Sequence, residues 1–209
     1  MAERGKFIVF EGLDGCGKST QLNLLCENIQ AAGEKVVCHT TFEPTYGPIG
    51  RLIRSALRKE VSFSQETMAM LYAADRREHV EKEILPLLEQ GINVLCDRYY
   101  FSNFAYQSDA VSLERLMMFN GYAMENLKPD ITVFMDASPE ACVSKIAESR
   151  ESADLYETLE KLTQVKEAYL KVFELLSETH RVITIEPMET KHMTADKLWQ
   201  LLADEFIGG

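Results

Sequence analysis

The chain has 209 residues, 46% hydrophobic and 26% charged, with a formal net charge of −11 at pH 7. That length builds one sizeable core, and the composition is that of a globular protein with no disordered character. The negative balance excludes a general nucleic-acid surface, because polyphosphate backbones are held by clustered Lys and Arg.

No linker-like run of Gly, Ser or Pro divides the sequence, so residues 1–209 are expected to form a single domain. The apolar start Phe7-Ile8-Val9-Phe10 is too short for a secretory leader, and no run of about eighteen apolar residues follows, so no membrane partner and a cytoplasmic location are expected. Phe7 to Phe10 reads as a strand that enters a glycine-rich loop, followed by a helix over 19–32 with Leu22, Leu25 and Ile29 on one face. A short strand over 36–41 leads to the Pro/Gly-punctuated segment Phe42-Glu43-Pro44-Thr45-Tyr46-Gly47-Pro48, expected as a loop, and a helix over 49–57. Ser62-Phe63-Ser64-Gln65 suits a capping box for a long helix to about Glu89, with Pro86 as a kink or early end. Residues 92–97 read as a buried strand ending in Asp97, with helical stretches through Asn126. A strand over 131–135 follows, and Ser138-Pro139-Glu140 looks like an N-cap with Pro at the first helical position, opening a helix that fades near Arg150. A helix over 155–176, a strand over 182–185 and an amphipathic helix over 194–206 complete the chain. Strands alternating with helices predict an α/β fold, a parallel sheet of about five strands covered on both faces, with ligands beyond the strand carboxyl ends. The five cysteines, Cys16, Cys26, Cys38, Cys96 and Cys142, are widely spaced, which suits reduced thiols in or near a core.

The stretch EGLDGCGKST, residues 11–20, contains GxxxxGKS between a predicted strand and a predicted helix, the context its mechanism needs. Glycines let backbone N–H groups wrap phosphate oxygens, and the helix start turns its positive dipole end toward them. Gly12, Asp14, Gly15, Cys16, Gly17, Lys18, Ser19 and Thr20 are therefore candidate contacts to a nucleoside triphosphate. Lys18 adds a mobile charge, and the Ser19 hydroxyl with the strand-end Asp97 can hold Mg2+. Arg98, directly after Asp97, is placed to clamp phosphates. Tyr72 and Arg76 stand four apart on the long helix, a spacing that suits gripping a base but taken alone more often marks ordinary packing beside a solvated charge. Ser102, Asn103, Tyr106 and Gln107 cluster in the same way.

Five segments in order resemble the motifs of thymidylate kinases: FIVFEGLDGCGKST, LYAADR (71–76), DRYYFSNFAYQ (97–107), KPDITVFMD (128–136) and DLYE (154–157). The resemblance implies a P-loop kinase that moves the γ-phosphoryl of ATP onto dTMP in dTTP synthesis, with Mg2+, usually as a homodimer. It implies that Tyr72 stacks on thymine, Arg76 bonds its O4, Asp14 lies near the sugar hydroxyl, and Arg98 bridges donor and acceptor phosphates. Ser102, Asn103, Tyr106 and Gln107 match the segment that reads the base edge and screens the sugar, with Tyr106 set against a 2′-hydroxyl. Relatives carry a catalytic arginine either in the glycine loop or in a mobile lid. Gly15 occupies the loop position here, so Arg150, in a lid over about 146–156, is expected to be the catalytic cation with Lys18 and Arg98. Phe42 and Leu155 stand where many relatives have arginines, and Arg51 or Arg54, the latter matching a frequent family arginine, is expected to supply charge to the acceptor phosphate. Glu186-Pro187 replaces a more usual Asp-Ala near the adenine edge. Another nucleoside monophosphate is the alternative acceptor. A hydrolytic GTPase switch fits poorly, because the sequence has neither Asn-Lys-x-Asp nor an Asp-x-x-Gly after a strand.

Overall fold

Five β-rich runs become the parallel strands β1 (Phe7–Gly12), β2 (Cys38–Phe42), β3 (Asn93–Asp97), β4 (Ile131–Met135) and β5 (Val182–Ile185), in the spatial order β2-β3-β1-β4-β5. The computed structural model describes residues 4–33, 36–149 and 159–206. Every residue of β1 and of β4 is buried, as expected for strands covered on both faces. The edge strand β2 is only partly buried. Phe10 pairs with Asp97, Gly12 with Met135 and Phe42 with Asp97, so the carboxyl ends of the central strands finish side by side.

Helices α1 (Lys18–Ala31), α2 (Pro48–Leu57), α3 (Gln65–His79), α4 (Leu85–Glu89), α5 (Tyr100–Gln107), α6 (Leu113–Phe119), α7 (Gly121–Asn126), α8 (Pro139–Ser149), α9 (Leu159–Leu175) and α10 (Lys191–Leu202) flank the sheet. Helix α1 packs on β1, β2, β3 and α10, while α5 packs on β1, α3, α6 and α9. The sheet thus separates a phosphate-loop layer from the layer carrying the other candidate residues. A single apolar core runs through both, and all five cysteines are free and buried. The reading of reduced core thiols stands.

Helix α8 starts at the expected Ser138 cap, and two further starts show the same chemistry. Ser138 Oγ accepts from the Ala141 N–H at 3.2 Å, Thr190 Oγ1 from Met193 at 3.2 Å, and Pro48 occupies the first turn of α2. The cap of α3 is Ser64, whose Oγ accepts from Thr67 N–H at 3.2 Å, so the helix begins two residues beyond the expected Ser62 box. The long helix does not simply bend at Pro86. A π-helical turn, Val80–Ile84, separates α3 from α4 and widens the backbone just before the residue that has no N–H to give. The expected helix over 194–206 starts three residues earlier and ends as a 3₁₀ turn, Ala203–Glu205.

Candidate active site

The loop between β1 and α1 is shaped by residues that need its unusual backbone. Gly15 has φ +79°, and a Cβ there would meet the Cys142 carbonyl oxygen at 2.8 Å and Ile146 at 3.0 Å. An arginine at this position is therefore excluded by both backbone and space. Gly17, at φ +94°, would direct a Cβ into open space on the cavity side. Lys18 is buried, and its Nζ donates to the carbonyls of Leu13 at 2.7 Å and Gly12 at 3.1 Å, folded over the loop it serves. Ser19 Oγ donates to Asp97 Oδ2 at 2.6 Å, while the buried Asp97 Oδ1 accepts no hydrogen bond among the described residues. A hydroxyl and a carboxylate with an unspent oxygen make a hard donor pair that fits Mg2+.

Arg98 is the hub. Its backbone takes φ +71°, a left-handed conformation rare for a side chain of this size, held by its N–H to the Phe10 carbonyl at 2.8 Å. From there Nη2 donates to Asp14 Oδ1 at 2.6 Å and Tyr106 Oη at 3.2 Å, and Nη1 to Ser102 Oγ at 2.8 Å and Tyr169 Oη at 3.3 Å. The guanidinium also lies over the Tyr106 ring, 4.8 Å from its centre. Beneath it sits Glu11, fully buried in β1. Its Oε1 accepts from the Tyr99 and Ser102 N–H groups at 2.9 and 3.2 Å, and Oε2 from the Ser102 and Tyr169 hydroxyls at 2.5 and 2.9 Å. Burial pushes the Glu11 carboxyl up; hydrogen bonds and the Arg98 charge work against that. Glu11 and Tyr169 thus brace Arg98 from below.

Tyr72 and Arg76 of α3 both face the same cavity, and burial raises the Tyr72 phenol above its usual range. Arg76 is 2% exposed. Its Nη2 pairs with Glu43 Oε2 at 2.7 Å, its Nη1 donates to Asn120 Oδ1 at 2.5 Å, and its Nε has no hydrogen-bond partner among the described residues. Glu43 is backed by His79, whose Nδ1 lies 3.1 Å from Glu43 Oε1 and whose Nε2 lies 2.8 Å from Thr41 Oγ1. Burial opposes the charged imidazole, yet hydrogen bonds and charges from Glu43 and Glu83 outweigh it and push His79 up to about 9. Arg54 of α2 donates to the Pro44 carbonyl and is gripped by two rings, its guanidinium carbon 4.9 Å from the Tyr46 centre and 5.4 Å from that of Phe42.

Lys18, Ser19, Glu43, Arg54, Tyr72, Arg76, Asp97 and Arg98 line one cavity of about 920 Å³, large enough for a nucleotide and the phosphates of a second, with Glu11, His79, Asn120 and Tyr169 behind its wall. A sequence model described as thymidylate kinase matches residues 10–194. The chain belongs to the thymidylate kinase family. It is 37% identical to a probable thymidylate kinase of Pyrococcus abyssi, covering 98% of this chain and 99% of that protein. A probable thymidylate kinase of Thermococcus kodakarensis is 38% identical, with 95% and 99% covered, and a thymidylate kinase of Shouchella clausii 35% identical, with 96% and 97% covered.

In this member of the thymidylate kinase family, the cavity brings together Asp14, Gly15, Gly17, Lys18, Ser19, Thr20, Arg54, Tyr72, Arg76, Asp97, Arg98, Ser102, Asn103, Tyr106 and Gln107. Gly12 and Cys16 are buried and absent from its lining, as scaffold of the loop. Between the two arginines of α2, Arg54 reaches the cavity, whereas the exposed Arg51 donates to the Tyr46 carbonyl at 2.9 Å. Arg150 and the DLYE segment lie outside the described residues. Sequence reasoning missed Glu11, Glu43, His79, Asn120, Tyr169 and the cavity-lining Lys145. Glu11 alone carried a signal, a carboxylate inside an otherwise apolar strand.

Proposed function

We propose that the chain is an ATP:dTMP phosphotransferase, acting in dTTP synthesis as a single-domain cytoplasmic enzyme and a homodimer. The observation that carries this reading is Arg98, braced between Asp14 of the phosphate loop and the cluster Ser102 and Tyr106 of α5, where donor and acceptor phosphates would meet. The loop N–H groups and Lys18 bind the ATP phosphates, and Tyr72 and Arg76 bind thymine. Tyr106 and Asp14 fill the space beside the sugar, and Arg54, held by its aromatic grip, neutralises the acceptor phosphate. Ser19 and Asp97 would hold Mg2+, which would supply positive charge to the phosphates. An acceptor phosphate oxygen attacks the γ phosphorus, the bond from phosphorus to the β–γ bridging oxygen breaks, and dTDP and ADP leave. No general base of importance is needed, because the reaction demands alignment and charge neutralisation. With Gly15 unable to carry an arginine, Arg150 is assigned the transferring group by the family resemblance. Its replacement by Ala is expected to lower kcat by about two orders of magnitude with a smaller change in the dTMP KM.

The test is a coupled ADP-release assay with ATP and Mg2+ across dTMP, dUMP, dCMP, dGMP and AMP. The expected result is dTMP as the best acceptor and little ADP without one. A different best acceptor removes the substrate assignment, and equal turnover without any acceptor removes the kinase reading altogether.

A further inference from the structure

Arginine can donate hydrogen bonds but never accept them, and that property orients a buried row of amides in this protein. Arg76 Nη1 donates to Asn120 Oδ1 at 2.5 Å, so the Asn120 nitrogen must point the other way. That nitrogen donates to Asn103 Oδ1 and to the Leu116 carbonyl, both at 2.8 Å. With its oxygen engaged, Asn103 turns Nδ2 to Gln107 Oε1, again at 2.8 Å. Reversing Asn120 would set two donors against each other at Arg76 and two acceptors at Leu116, in a site where Asn120 is 2% exposed and water offers no substitute. The row runs from α3 through the α6–α7 junction to α5, and Asn120 belongs to none of the recognised motifs.

We propose that Asn120 is a specificity-determining positioning residue: it passes the donor-only character of Arg76 through Asn103, so that Gln107 spends its oxygen inward and keeps its amide nitrogen for the acceptor cavity. Arg76 and Gln107 both line that cavity. The base edge is then met by donors from both ends of the row. This favours a pyrimidine with carbonyls at ring positions 2 and 4 over one with an amino group at position 4. The inference rests on the reading of this cavity as the base site and deepens it.

The test compares kcat and KM for dTMP and dCMP, with ATP and Mg2+, in the wild type, Asn120→Asp, Asn103→Asp and Gln107→Glu. Asn120→Asp still accepts from Arg76 but cannot donate, so Asn103 turns its nitrogen toward position 120 and Gln107 reverses. Asn103→Asp accepts from Asn120 but cannot donate to Gln107, which reverses the last amide while the Arg76–Asn120 bond stays intact. In both, the dTMP-over-dCMP ratio of kcat/KM is expected to fall by about tenfold, the worth of one hydrogen bond, chiefly through the dTMP KM. Gln107→Glu, which offers only acceptors at the same edge, is expected to lower the ratio at least as far. If Gln107→Glu lowers it and neither asparagine variant does, the relay is overturned while the base site stands. An unchanged ratio in all three overturns both. Loss of kcat for both acceptors at an unchanged ratio also overturns the relay, because a merely structural role would do that. Should Asn120→Asp fail to fold, Asn103→Asp decides.

Discussion

Arg98 occupies a backbone conformation that an arginine adopts only when the surroundings determine it, and its guanidinium meets four separate partners from the glycine loop, α5 and α9. A lysine at that position keeps the charge and loses the fork that reaches Asp14, Ser102, Tyr106 and Tyr169 at once. Arg98→Lys is therefore expected to lower kcat by about a hundredfold or more in steady-state assays, with thermal stability changed far less. Near-normal kcat would remove Arg98 from the transfer step. His79 yields a second expectation, this one about stability. The groups facing it are Thr41 and, through Glu83, His39 of β2, Glu43 with its ion-paired Arg76, Glu83 of the π turn, and the buried Cys96 thiol of β3. The folded pKa of about 9 lies above the ordinary 6.5, so the pairing stabilises fully below pH 6.5 and is lost as pH rises through about 9. The stability advantage of wild type over His79→Gln in urea unfolding is expected to shrink between pH 6.5 and 9.5 by about 3 kcal/mol. A constant difference would mean that His79 is neutral when folded. Glu83, pushed down to about 2 chiefly by its hydrogen bond with His79, reports the same pairing from the other side and adds nothing to that figure. Helical spacing put Tyr72 and Arg76 on one face, but it was the family resemblance that singled them out for the base, and both line the cavity. Glu43, His79 and Asn120 were not legible in the sequence, because their partners lie 36 and 44 residues away in the chain and no local period records such a meeting.

Among the elements, what local chemistry encodes was readable and what tertiary strain decides was not. The strand ending in Asp97 and the cap Ser138 follow from residue type alone. Helix α3 illustrates the boundary. Apolar spacing and Pro86 imply a long helix with a kink, but a π turn shifts the hydrogen-bond register by one residue while preserving the chain's course, so periodicity does not reveal it. Among the helical stretches expected through Asn126, α6 and α7 part at Asn120, which ends one helix and opens the next, with its side chain committed to Arg76 and Asn103. Ser64 offers a test at this scale. Its hydroxyl satisfies the Thr67 N–H at an exposed helix start well separated in sequence from Tyr72 and Arg76, so Ser64→Ala is expected to cost about 1 kcal/mol and lower Tm by about 2–4 °C. Calorimetry checks the shift, and a dTMP KM altered more than twofold would show that the cap also sets the position of the base grip.

For the molecule as a whole, the proposed homodimer has a physical argument in the distribution of exposed apolar side chains. Helices α2 and α6 each pack on α3, and the three leave Leu52, Met70 and Met118 exposed, Met118 by 66%. An isolated exposed Leu needs no explanation, but several on adjoining helices favour a covered face. Two copies of a chain with net charge −11 repel at long range, so such a contact must be held by apolar burial against electrostatic opposition. The sign of the salt response follows. Screening relieves the repulsion and leaves apolar burial intact, so dimerisation is expected to tighten as ionic strength rises from about 0.01 to 0.15 M, opposite to an interface built on ion pairs. Sedimentation equilibrium across that range tests the sign, and Met118→Glu is expected to shift the protein to monomer at the same concentration. A monomeric wild type would remove the dimer, and a dimer that loosens with salt would move its interface to charged surface elsewhere.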